Sequence, residues 1–98
     1  MNPIRKNIRA CQEIIATSND QIAFFQTRKR HYQHIVDSLL PLGDNYNMKD
    51  PEDWPLYATY CDRLHYYKVR LKFANDREKE WTDRKLKQQR RITQFATL

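Results

Sequence analysis

Residues 41 to 55 read PLGDNYNMKDPEDWP. This stretch holds the chain's single glycine, Gly43, and three of its four prolines, Pro41, Pro51 and Pro55. A sheet protein of this size needs turns at several places, each built with Gly, Asn or Pro. Here the turn chemistry is gathered in one place, between two long uninterrupted segments. The pattern predicts an all-α chain, a single helical domain over 1–98, with helices near residues 3–40 and 51–95 and one loop over 41–50.

Both helix starts carry the same signal. Asn2-Pro3 and Asp50-Pro51 each place an Asx side chain at the cap and proline at the first helical position. The Asx oxygen accepts an otherwise unpaired backbone N–H, and proline has no N–H to leave unpaired there. Glu52 and Asp53 add negative charge at the positive helix end. Pro55 would remove an early hydrogen bond, so the regular second helix is expected to begin only near Trp54. At the other boundary Pro41 and Gly43 are expected to stop the first helix, with glycine as the C-terminal cap.

Heptad spacing extends through both flanks. In the first helix the a and d series runs Ile4, Ile8, Cys11, Ile15, Ser18, Ile22, Phe25, Lys29, Tyr32, Val36, Leu39. In the second it runs Tyr57, Tyr60, Leu64, Tyr67, Leu71, Ala74, Glu78, Trp81, Lys85, Gln88, Ile92, Phe95. Two such seams joined by a single loop predict a long antiparallel hairpin of coiled-coil type, with Ile15 opposite Trp81 and Ser18 opposite Glu78. The half that holds TSND (17–20) and EKEWTDRK (78–85) is poorly apolar. Ser18, Asn19 and Asp20 are also capping residues, so a break there would give a three-helix arrangement instead. Trp54 is expected to pack over the closed end against Leu39 or Leu40.

Arginine recurs at every seventh residue of the second helix: Arg63, Arg70, Arg77, Arg84 and Arg91. In the heptad register all fall at position g. The g positions of the first helix, Asn7, Ile14, Gln21, Arg28 and Ile35, include no acid, so no row of ion pairs awaits them across the seam. Glu80 can serve Arg77 and Arg84 within the helix. Tyr66 and Phe73, at position c, lie beside this row, and Phe24, Arg28 and His31 occupy the corresponding side of the first helix. Arginines interleaved with aromatic rings suit a phosphate backbone with stackable bases. They equally suit a protein–protein hot spot. A solvated face whose arginine stems cover apolar rings has the same composition.

Several chemistries lack their residues. His31 and His34 stand three apart, too few for a metal site. Cys11 and Cys61 fall near opposite ends of the hairpin, too far apart for a disulfide. Neither a phosphate-cradling glycine loop nor a nucleophile motif occurs, and a two-helix hairpin encloses no reaction cavity. No catalytic residue, cofactor or metal is expected. No apolar run approaches the roughly 20 residues of a membrane span, and residues 1–10 lack the apolar core of a secretory signal. A reducing, cytoplasmic setting follows.

The chain has 98 residues and a net charge of +6, which favours anionic partners. Its small, basic, helical build without a catalytic signature resembles that of accessory proteins of phages and mobile elements. Ile14, Phe24, Ile35, Tyr66, Val69 and Phe73 exceed what a two-helix seam buries, and such surplus marks a partner surface. The expectation is a non-enzymatic adaptor that docks on a larger protein, one working on nucleic acid. The alternative is direct, sequence-independent nucleic-acid binding by the arginine row. Homodimerisation into a four-helix bundle would also cover the surplus.

Overall fold

The computed structural model describes residues 2–97. The chain forms a helical hairpin of two long helices, α1 (Pro3–Leu39) and α2 (Trp54–Ala96). Two short 3-10 helices, Leu40–Asn45 and Pro51–Asp53, lie in the connection. No strand occurs among the described residues.

The caps form as the Asx–Pro pairs dictate. Asn2 Oδ1 accepts the Ile4 N–H at 2.9 Å, and Asp50 Oδ1 accepts the Glu52 N–H at 3.0 Å. Pro55 has no N–H to give the Pro51 carbonyl, so an α-type bond cannot close there. The Trp54 N–H bonds to that carbonyl instead, three residues back, and the first turn is 3-10. Regular α2 therefore starts at Trp54.

The first helix does not break at TSND, and no third long helix forms. α1 contains neither glycine nor an internal proline. Ser18 satisfies its hydroxyl within the helix by donating to Ile14 O at 2.7 Å. Serine that bonds back one turn competes with no helical N–H, so its capping tendency goes unused.

Two compact units can be distinguished along the hairpin. In one, the chain up to Gln26 packs against the chain from Asn75 onward. Its heptad positions from Ile8 to Phe25, and from Glu78 to Phe95, are all buried or half-buried, whereas Ile4 is exposed. Ser18 and Gln88 are buried polar members of this seam. Gln26 Nε2 donates to Glu78 Oε1 across the helices at 3.2 Å. The small, fully buried Ser18 permits close approach of the backbones in a stretch with few apolar side chains.

The second unit spans Thr27–Ala74. Val36, Tyr60 and Ala74 are its most buried seam residues, with Lys29, Tyr32, Leu39, Tyr57, Leu64, Tyr67 and Leu71 half-buried. The Tyr32 and Tyr67 rings meet across the helices, 6.3 Å between centroids. Tyr60 closes the end. Its hydroxyl donates to Leu39 O at 2.9 Å and Leu40 O at 3.1 Å, shared between two carbonyls where α1 passes into the 3-10 helix. Tyr46 and Tyr57 pack on Tyr60 at 5.4 and 5.8 Å between centroids. Hydrogen bonding and electrostatic repulsion from Cys61, one turn on, raise the Tyr57 phenol above its ordinary value, so it is neutral at physiological pH.

Two expectations for the connection are corrected. α1 ends at Leu39, just ahead of Pro41 as expected, but Gly43 forms no left-handed cap. The backbone tightens into the 3-10 helix Leu40–Asn45, and no glycine has positive φ. Gly43 is favoured by close approach instead, since a Cβ there would stand 3.0 Å from the Tyr60 hydroxyl, tighter than ordinary contact. Trp54 does not seal the closed end either. It is 54% exposed, and its indole N–H is held by Met48 O at 2.9 Å within the connection. The tyrosines have taken the sealing position, because Tyr60 reaches the terminal carbonyls with a polar tip while burying its ring.

Tyr60→Phe should lower stability by about 1–2 kcal/mol through the loss of its shared hydrogen bond. Gly43→Ala should cost about 1–3 kcal/mol by crowding. The second penalty should shrink in the Tyr60→Phe background, because the closest clashing atom is gone. Urea unfolding of the two single variants and the double variant measures this coupling.

Candidate functional site

Burial of the a and d positions turns the g and c positions of both helices outward along one edge of the seam. In the unit Thr27–Ala74 this edge carries Arg28 and His31 from α1, with Arg63, Tyr66, Arg70 and Phe73 from α2. Tyr66 is 50% and Phe73 54% exposed. The Arg70 guanidinium lies over the Tyr66 ring, 5.1 Å from its centroid. Tyr66 in turn meets Tyr67 edge-on at 5.2 Å. Stacking of this kind holds the guanidinium at the surface without consuming its N–H donors.

Arg63 stands where the edge reaches the closed end. It lines a cavity of about 210 Å³ together with Leu39, Leu42, Tyr46, Leu56, Thr59 and Tyr60. Leu56 and Leu42 are exposed within it. The connection had no assigned role for Leu42, and Leu56 carries the signal that sequence inspection missed. It sits seven residues before Arg63, at the same heptad position as the arginines. Among the described residues no ion pair involves Arg63 or Arg70. Their electrostatic field therefore reaches solvent unopposed by a bonded carboxylate.

The other unit holds Phe24, Arg77, Arg84 and Arg91. Here the arginines differ in their commitments. Glu80 pairs with Arg77. It was expected to serve Arg84 as well, but that guanidinium lies over the half-buried Trp81 ring, 4.5 Å from the centroid. A flat cation covers a flat ring that the seam leaves partly exposed, and that contact wins over an exposed ion pair. Phe24 packs edge-on against Phe25 at 5.1 Å. A broad shallow hollow of about 480 Å³ is lined by Ala10, Glu13, Ile14, Thr17 and Trp81.

Both cysteines are free thiols. Among the described residues no group of three or more His, Cys, Asp or Glu side chains could hold a metal ion. No helix there is long and apolar enough to cross a membrane. The chain matches no family model, no curated protein and no solved structure.

The exposed arginines should be dispensable for folding. Replacing Arg63, Arg70 and Arg77 together with glutamine removes one surface ion pair and one stacked cation. The stability cost should be about 1 kcal/mol or less, measured by thermal melts followed by circular dichroism.

Proposed function

We propose that this chain is a small non-enzymatic adaptor that docks on a larger protein through the arginine–aromatic edge of its hairpin. The observation that carries the proposal is surplus surface of a particular chemistry. A globular chain of 12.0 kDa exposes about 6,000 Å², whereas this one exposes 7684 Å². The difference of about 1,700 Å² is about twice the roughly 800 Å² that one partner contributes to a standard protein–protein interface. Ile14, Phe24, Leu56, Tyr66, Val69 and Phe73 are among the large apolar side chains in solvent. Aromatic residues and arginine together are the composition of binding hot spots.

Direct nucleic-acid binding is the second reading, favoured by one feature. Arg70 stacked on Tyr66 offers a cation beside a ring face, as single-strand binders do. Docking on a protein accounts better for the aliphatic groups, since Leu42 and Leu56 offer nothing to a phosphate or a base. The two free thiols and the basic charge suit the cytoplasm, where such an adaptor would meet acidic surfaces of a nucleic-acid-processing partner.

Affinity capture from the native cell with nuclease treatment tests this. A protein partner should remain bound after nuclease, and the variant with Arg63, Arg70 and Arg77 replaced by glutamine should lose it while keeping its fold. Loss of every partner on nuclease treatment would overturn the adaptor reading in favour of nucleic acid.

A further inference from the structure

The edge of the unit Thr27–Ala74 has the layout of two walls of a three-helix coiled coil. On α2 one heptad position reads Leu56, Arg63, Arg70 and the neighbouring one Thr59, Tyr66, Phe73. On α1 the matching positions read Arg28, Ile35 and His31, Ser38, and Leu42 follows them in the 3-10 helix Leu40–Asn45. No carboxylate stands at any of them. The nearest acids on α2, Asp62 and Asp76, occupy position f, on the far side of the Tyr66–Phe73 stripe from the arginine row. The edge is therefore apolar and cationic at once, and it repeats with the period of a helix wound on helices. From Leu56 to Phe73 it runs about 26 Å, the length of a partner helix of roughly five turns.

Resting on the adaptor reading above, we infer that this edge receives an acidic amphipathic helix of the partner protein as the third helix of a bundle. One large apolar side chain of that helix fills the cavity of about 210 Å³ between Leu42 and Leu56. Arg63, at the rim of the same cavity, meets a carboxylate beside this anchor. Arg70, one heptad on, meets a second carboxylate at matching spacing. Tyr66 and Phe73 cover the apolar stripe between, and the Tyr66 ring holds the Arg70 fork in place before binding. A second copy of this chain is disfavoured as occupant. Two-fold pairing through the edge would set Arg63 and Arg70 against the same arginines, on a chain already at +6.

The test uses the full chain and a fluorescein-labelled peptide of three heptads with leucine at a and d and glutamate at e and g. A second peptide carries lysine in place of glutamate, and a third keeps the glutamates but scrambles the leucine stripe. Fluorescence anisotropy should show binding of the first peptide alone. Arg63→Gln with Arg70→Gln should weaken it at least about tenfold, and Leu56→Ser by a similar factor. Lys68→Gln with Lys72→Gln removes the same charge away from the edge and should leave affinity within about twofold. Circular dichroism of each variant confirms that the helices are intact.

Three results would overturn the inference. One is equal binding of the striped and scrambled acidic peptides, which reduces the edge to a diffuse cation. Another is loss of affinity with Lys68 and Lys72 as large as with Arg63 and Arg70. The third is displacement of the peptide by a thymidine oligonucleotide whose own binding requires Arg63 and Arg70, which gives the edge to nucleic acid. The adaptor reading fails separately. If nuclease-resistant capture persists in the Arg63→Gln, Arg70→Gln variant, the chain is an adaptor that docks elsewhere: this inference falls together with the edge as the docking site, and the adaptor role stands. If no partner survives nuclease, both fall.

Discussion

Two helices can bury only one stripe each against the other, and everything else about this molecule follows from that limit. A seam residue in a two-helix layer is covered from one side and wetted from the other. The seam positions show it. Among the described residues only Cys11, Ser18, Val36, Tyr60, Ala74 and Gln88 are buried, and most other a and d residues remain half-exposed. The deepest positions are small, with Ser18 and Ala74 at 0% and 1% exposure, since a short side chain on the seam has little surface left for water to reach. The same limit leaves the neighbouring stripe outside. Among the described residues no third long helix covers the arginines and rings at the g and c positions.

The closed end shows how a short connection is made rigid without a glycine turn. Asn47 N–H is bound by Asp53 Oδ2 at 2.7 Å, and Asn47 Oδ1 accepts the Lys49 N–H at 3.0 Å. Trp54 is tied to Met48 O. Above this network the three tyrosines 46, 57 and 60 form one packed group, and Gly43 makes room for the Tyr60 hydroxyl. The cavity beside Arg63 shares Tyr46 and Tyr60 with that group. Its walls are therefore set before any partner arrives, which lowers the ordering cost of docking.

Much of the fold was legible in the residues because the signals were periodic or chemically singular. The heptad series marked every described position that is buried, polar Ser18 and Gln88 included, and the Asx–Pro pairs marked both helix starts. The failures share a cause. Gly43 and Trp54 were judged by local preference alone, and each was decided by a neighbour, whereas the first helix runs unbroken through TSND as the hairpin reading expects. Gly43 answers to the Tyr60 hydroxyl rather than to its own φ. Trp54 lost the sealing role to a tyrosine that reaches two carbonyls. Ser18 found its partner one turn back. At the candidate site the arginine period was visible, but its inequality was not. Sequence spacing cannot tell that Arg77 is paired and Arg84 stacked on Trp81, whereas Arg63 borders an apolar cavity.

The account rests on one seam closing within a single chain, with the arginine edge left outside it. The most direct measurement is an isotope-filtered nuclear Overhauser experiment on a mixture of labelled and unlabelled chains, observing the Tyr32 and Tyr67 rings. Their centroids stand 6.3 Å apart, so ring protons should give a cross-peak, and it should be intramolecular. A cross-peak seen only between labelled and unlabelled chains would mean that the seam is shared by two copies. No cross-peak at all would mean that these faces do not meet.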